Sequence, residues 1–146
     1  MTKPKIIVKN AVPNDFEFVL KLKKELWPWK IFIKKKEHKK YIQDLKKNVK
    51  ILIAKEDKKT LGLMILRPKI FGLSLWLQIL VVTKQFRKKG VGSTLLKRAF
   101  AIAKKESYKV IFLSTRYNRK GAQRFYARHG FKRINCFTVL FCKWVR

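Results

Sequence analysis

Apolar positions along this chain switch between short runs of period two and longer runs of period 3.6. Residues 5–12 hold Ile6, Ile7 and Val8 and predict a short first strand. Pro13-Asn14-Asp15 offers a helix start, and Phe16, Val19, Leu20 and Leu26 mark the apolar face of the helix that follows. Trp27-Pro28-Trp29 interrupts that helix, because proline disfavours helical geometry at the residue before it. A second, very basic helix is expected over residues 32–48, with Tyr41, Ile42 and Leu45 on its apolar side. Residues 50–55 and 61–67 read as two strands of a hairpin around Asp57-Lys58-Lys59.

The clearest strand covers residues 73–83. Leu73, Leu75, Leu77, Ile79 and Val81 share one face by strict alternation, while Ser74, Trp76 and Gln78 share the other. From residue 79 to 82 both faces turn apolar, as in a central strand covered on both sides. A basic, glycine-containing loop then leads into a helix predicted over 93–107, whose stripe is Leu95, Leu96, Ala99, Ile102 and Ala103. Residues 109–115 form another doubly apolar strand. Ala122, Phe125, Tyr126 and His129 fall at i, i+3, i+4 and i+7 on a short helix ended by Gly130. Residues 131–144 add one or two strands. The order β-α-α-β-β-β-α-β-α-β-β predicts one layered α/β domain over residues 1–146, with a mixed sheet and no repeat or linker.

Charge changes the picture of the surface. The 146 residues contain 38 Lys plus Arg against 8 Asp plus Glu, a formal net charge of +30. Apolar residues at 47% and aromatics at 13% suffice for a core, which excludes a disordered basic tail. The excess is +10 over residues 1–50, +9 over 51–100 and +11 over 101–146, so no basic arm is appended to a neutral body. Such a surface attracts polyanions: nucleic acid, ribosome, acidic membrane or a phosphorylated ligand. The alternative is a Lys-rich proteome or simple solubility. Low Glu argues against the ion-pair networks of thermophile surfaces.

Other classes fall away. The N-terminal apolar stretch is too short for a signal peptide, and the longest one, residues 70–82, falls short of the roughly 20 residues of a membrane span. Cys136 and Cys142 on one strand would stand roughly 20 Å apart, beyond disulfide reach, so free thiols and a cytoplasmic location are expected. Two cysteines and two histidines at these spacings give no zinc signature, and no metal is expected.

The chemistry concentrates at Val81-Val82-Thr83-Lys84-Gln85-Phe86-Arg87-Lys88-Lys89-Gly90-Val91-Gly92-Ser93. A strand runs into a glycine-spaced turn and then a helix. Glycines admit close approach of a ligand to the backbone, and helix N-termini favour phosphate. The loop is neither a P-loop nor a complete dinucleotide fingerprint, since Leu95 stands where the third glycine belongs. Local physics reads it as a pyrophosphate site or a structural turn. Arg87-x-x-Gly90-x-Gly92, between an apolar strand and an amphipathic helix, resembles the acyl-CoA pyrophosphate loop of the GNAT N-acetyltransferase superfamily. A second block, Asn118-x-x-x-Ala122-x-x-Phe125-Tyr126-x-x-x-Gly130-Phe131, is similar to that family's second motif. The two stand in the right order and at the right separation, and the matched region covers roughly residues 73–134. The implied fold is a GNAT-like α/β (α+β) domain with a mixed six- to seven-stranded sheet and about four helices.

The resemblance implies acetyl-CoA as co-substrate. Backbone N–H groups of Arg87, Lys88, Lys89, Gly90, Val91, Gly92 and Ser93 would hold the pyrophosphate. The strand end Leu80-Val81-Val82 would part from its neighbour and bind the pantetheine arm, Asn118 would touch the CoA arm, and Tyr126 would protonate the departing thiolate. A phenol suits that role because it is protonated at neutral pH. Read by periodicity alone, Tyr126 is a core aromatic on the stripe of Phe125. Many family members carry a Glu as general base on the central strand, whereas here no acidic residue lies between Asp57 and Glu106, and Gln78 stands near the place where such a base is expected. Gln78 cannot take a proton, though it can orient a water or the acceptor. The amine must then arrive neutral or lose its proton to water. His129, beside Gly130-Phe131, reads as structural.

In this fold the loop between the first two helices helps line the acceptor groove, which points to Trp27 and Trp29. These tryptophans would stack on a base or aromatic amine, or simply pack the helix pair. Lys34, Lys35, Lys36, Lys39 and Lys40 form a cationic run that is either RNA-facing, by similarity to GNAT toxins acting on aminoacyl-tRNA, or a solvated face. The leading expectation is an acetyl-CoA-dependent N-acetyltransferase acting by direct attack on an anionic or polyanion-borne amine, such as a charged tRNA or ribosomal component. The alternatives are a small-molecule amine or protein N-terminus as acceptor, or a catalytically silent nucleic-acid-binding module. Oligomeric state is left open, a dimer included.

Overall fold

The computed structural model of the protein describes residues 5–134 and 139–145, Val139 through its backbone alone. Among the described residues the strands are β1 (Ile7–Asn10), β2 (Lys50–Glu56), β3 (Lys59–Lys69), β4 (Ser74–Val82), β5 (Val110–Thr115), β6 (Lys132–Arg133) and β7 (Val139–Trp144). The helices are α1 (Phe16–Leu26), α2 (Lys34–Lys46), α3 (Val91–Lys105) and α4 (Lys120–Arg128). The order is the expected β-α-α-β-β-β-α-β-α-β-β, and the strands make a mixed seven-stranded sheet ordered β1-β2-β3-β4-β5-β7-β6. The chain divides into two compact units, Met1–Ile65 with Ile79–Leu96, and Leu66–Gln78 with Lys97–Arg146.

In the first unit β1 pairs antiparallel with β2, from Ile7↔Lys55 to Asn10↔Leu52. Of the stripe predicted for α1, Phe16, Val19 and Leu20 are buried and Leu26 is half-buried; with Leu22, which the prediction did not include, they pack with Tyr41 of α2 and with Ile51, Ile53, Leu63, Ile65, Ile79 and Val81. The entry to α1 is fixed by Asp15, whose Oδ2 accepts the Val12 N–H at 2.9 Å and whose Oδ1 lies 3.3 Å from Lys55 Nζ. Tyr41 ties α2 to the same corner by donating its hydroxyl to Val12 O at 2.6 Å. Trp27 caps α1, where the following Pro28 requires the helix to stop.

In the second unit β4 and β5 run parallel from Ser74↔Val110 to Leu77↔Leu113. β7 then pairs antiparallel with β5 from Val110↔Trp144 to Thr115↔Val139, and β6 adds two pairs at the edge. Leu75, Leu77, Ala99, Ala103, Ile111, Leu113, Phe131 and Phe141 are buried.

Three sequence expectations are corrected at and just before β4. Leu73 was expected on the buried face but is 52% exposed, because its N–H is taken by Ile70 O in the turn before the strand begins. Ser74, expected on the polar face, is fully buried and satisfies its hydroxyl on Lys69 O at 3.2 Å. Leu80 and Val82, expected to be covered, are only half-buried. Cys142 is a free, half-buried thiol, while Cys136 and residues 1–4 lie outside the described residues.

Candidate active site

The glycine-spaced junction belongs to the first unit. Thr83 locks the exit from β4, donating both its N–H and its Oγ1 to Leu61 O at 2.8 and 2.9 Å. Lys84–Phe86 make one 3-10 turn, and the backbone then passes through positive φ at Lys88 (60°) and Gly90 (84°) before α3 starts at Val91. A Cβ on Gly90 would meet nothing within 4 Å, so the glycine serves the backbone conformation and leaves that side open to a ligand. Thr94 closes the first helical turn by donating its N–H and Oγ1 to Gly90 O at 3.0 and 2.8 Å. Arg87, Lys88 and Lys89 are exposed around the turn, with Arg87 Nε donating to Val82 O at 3.1 Å. A turn of this kind running into a helix N-terminus favours an anion through backbone N–H groups and dipole. These residues fit a pyrophosphate.

Gly62, in the middle of β3, is a site residue that sequence reading missed. A Cβ there would stand 3.0 Å from Val81 O and 3.2 Å from both Val91 Cγ1 and Leu95 Cδ1. Its absence lets the start of α3 seat against the sheet, so this glycine positions the helix N-terminus. The available signal was a lone glycine inside a strand pattern. Of the two tryptophans after α1, Trp27 is half-buried against the core, with Lys30 Nζ 5.6 Å from its ring centre, whereas Trp29 is 55% exposed. Packing accounts for Trp27, whereas Trp29 is the more exposed of the two rings.

The second unit holds Gln78, Asn118 and Tyr126. The β4–β5 ladder ends at Leu77↔Leu113, so Gln78 and Ser114, the next pair in register, are not joined by it although both strands continue. Gln78 Oε1 accepts a short hydrogen bond from Arg67 Nε. A guanidinium thus occupies the carbonyl of the Gln78 amide. Asn118 is exposed in the turn between β5 and α4. Gln123 holds that turn, its Nε2 donating to Arg116 O at 3.0 Å and Tyr117 O at 2.9 Å.

Tyr126 is 7% exposed, its ring packed edge-on against Phe125 and Phe131 and tilted against Phe141. Its hydroxyl has no protein partner among the described residues, and none of their fully buried side-chain polar atoms is left unsatisfied. The ring is therefore core. Burial pushes the phenol well above its ordinary range, with Arg119 opposing, so the group is a proton donor throughout the neutral range. His129 is structural in its contacts, with Nδ1 2.8 Å from Phe125 O and its ring 4.4 Å from the Phe125 ring.

Comparison with known proteins meets this geometry. The model of the acetyltransferase (GNAT) family matches residues 17–131. No curated protein matches the chain. Among solved structures, an N-acetyltransferase from Staphylococcus aureus superposes with a TM-score of 0.86 at 13% identity, covering 97% of this chain and 99% of that one. The PaiA N-acetyltransferase of Thermoplasma acidophilum, solved in complex with coenzyme A, gives 0.79 at 21% identity over 96% and 99%. The yncA protein of Salmonella typhimurium, solved with its cofactor acetyl-CoA, gives 0.81 at 13% identity over 97% and 95%.

Proposed function

The chain belongs to the acetyltransferase (GNAT) family, and on that premise we propose that it moves the acetyl group of acetyl-CoA to a primary amine that is anionic or borne on a polyanion. Acetyl-CoA supplies the activated thioester. The turn from Arg87 to Ser93 holds the pyrophosphate, and the end of β4, buried Val81 between half-buried Leu80 and Val82, offers backbone groups to the pantetheine arm. Asn118 contacts that arm from its exposed turn. Tyr126 gives its proton to the sulfur as the C–S bond breaks and the new C–N bond forms; the proton shed by the amine passes to solvent, and the phenolate regains one from solvent. A buried phenol that stays protonated and has no competing acceptor among the described residues supports this role.

The acceptor class rests on one observation, the Arg67–Gln78 pair. A central-strand carboxylate would take the proton of an ammonium, but here an amide stands there with its carbonyl engaged by a cation. An amine that arrives neutral needs no such base, and a nearby guanidinium favours an acceptor carrying negative charge. The 38 basic residues repel basic peptides in the same way. Trp29 supplies an exposed aromatic face for the acceptor.

Labelled acetyl-CoA incubated with total cell extract, followed by separation of RNA, protein and small molecules, tests the reading. Label in the RNA fraction or in an anionic amine is expected. Label confined to basic proteins would refute the acceptor class, and no acetyl-CoA binding by calorimetry would refute acetyl transfer itself.

A further inference from the structure

Within the second unit, Phe100, Ala101 and Lys104 of α3 face Lys132, Ile134, Cys142, Lys143, Trp144 and Val145 across a cleft of about 730 Å³. One of its lining cations is held in place by its own contacts. Lys143 Nζ donates to His129 O at 2.7 Å and sits 4.2 Å from the centre of the Phe100 ring. Gly130 keeps its path open, since a Cβ there would stand 3.1 Å from Nζ and 3.2 Å from Cε. Lys104, Lys132 and Lys143 have no carboxylate partner among the described residues. Trp144 stands 68% exposed at the cleft and Ile134 50% exposed, with no ring packed on Trp144 among the described residues.

We infer that this cleft binds single-stranded nucleic acid, one base stacking on Trp144 and adjacent phosphates resting on Lys104, Lys132 and Lys143. An exposed aromatic face beside unpaired cations is the combination that unstacked bases and their backbone require, and a duplex would keep its bases from the ring. The volume admits about one nucleotide, in the range of small-ligand pockets. A strand fits better than a free nucleotide because the cations continue past the cleft. Exposed Lys97 lies at i−7 from Lys104 along one stripe of α3, with the small Ala101 between them. Repulsion of such a ligand is minimal, since this unit contains 16 basic residues and a single acid, Glu106. The inference rests on the polyanion part of the function proposed above and not on acetyl transfer.

Fluorescence anisotropy with a labelled oligouridylate of about eight nucleotides tests it. Trp144→Ala should weaken binding about five- to 150-fold, and Trp144→Phe should retain most of it. Lys104→Ala with Lys132→Ala should lower the slope of log affinity against log salt by about 1.4. Unchanged affinity in both variants would overturn the inference and move the polyanion site to another face, such as α2. Uridine monophosphate binding as tightly as the oligomer would also overturn it, as would Trp144-dependent binding to phosphatidylserine vesicles without Trp144-dependent binding to the oligomer. Acetyl-CoA calorimetry on the same variants should match the parent chain. A parent chain that binds the oligomer but not acetyl-CoA would sink acetyl transfer and leave this site standing.

Discussion

The two compact units carry the same net charge, +15 each, by different means. The first has 22 basic and 7 acidic residues, the second 16 and 1. In the first, lysines meet carboxylates: Lys23 with Glu37 at 3.1 Å, Lys34 with Glu17 at 2.6 Å, Lys55 with Asp15 at 3.3 Å. In the second, cations settle on neutral partners: Arg67 on Gln78 Oε1, Lys143 on His129 O and the Phe100 ring, Lys120 over the Tyr117 ring at 4.2 Å. A carbonyl or an aromatic face orients a cation without cancelling its charge. Net charge alone therefore hides where a polyanion would be drawn. The first unit partly neutralises its surface; the second leaves it available.

Several experiments would break or sharpen this contrast. The largest effect is expected at Tyr126 in the second unit. Tyr126→Phe keeps the packing ring and removes the proton donor, so turnover of the identified acceptor should fall about 100-fold or more while acetyl-CoA affinity holds. Unchanged turnover would make Tyr126 a core residue only. In the first unit, Gly62→Ala should destabilise the chain by about 1–3 kcal/mol in urea titration and weaken acetyl-CoA binding, because the new methyl forces Val91 and Leu95 away from the sheet. A variant with full stability and affinity would show that α3 tolerates the shift.

Asp15→Ala removes the acceptor for both Val12 N–H and Lys55, in a side chain 12% exposed, and should cost about 1–2 kcal/mol. Lys143→Met, its counterpart in the second unit, loses only a carbonyl and a ring contact and should cost about 1 kcal/mol or less. A larger loss at Lys143 than at Asp15 would reverse the comparison.

Alkaline pH acts on both units. Burial, with Asp15 adding to it, pushes Tyr41 up to about 12, and burial raises Tyr126 further. Both phenols keep their protons in the folded chain after the unfolded chain has released them near pH 10. The folded state is thus favoured fully below pH 10 and loses that advantage as pH climbs through 10 to 12. Melting temperature should be flat from neutrality to about 10 and then decline, with the decline shallower in Tyr41→Phe. The smallest effect is that of salt: added sodium chloride should slow amide exchange in β5 and β7, where repulsion is screened, more than in α1 and β2, where ion pairs weaken.

Much of the fold was legible because burial follows period. The α1 stripe, the alternation of Leu75, Leu77, Ile79 and Val81, and the helix stop before Pro28 all appear in the structure where the sequence places them. Strand ends were not legible, as Leu73 and Ser74 show, since the first hydrogen-bonded residue is set by the preceding turn. Gly90 could be read from its motif. Gly62 could not, since its reason is a helix arriving from 29 residues downstream at Val91.

What the sequence determined by itself was the order of elements, the glycine turn ahead of α3, the family, and a surface short of acids. Each depends on neighbours in the chain or on composition, which a one-dimensional pattern records. Only the tertiary structure decided that Gln78 is held by Arg67, that the Tyr126 ring is core, and that Lys143 crosses Gly130 to rest on Phe100. Those facts come from residues far apart in sequence meeting at a few ångströms, where burial and hydrogen bonding set what a side chain can do.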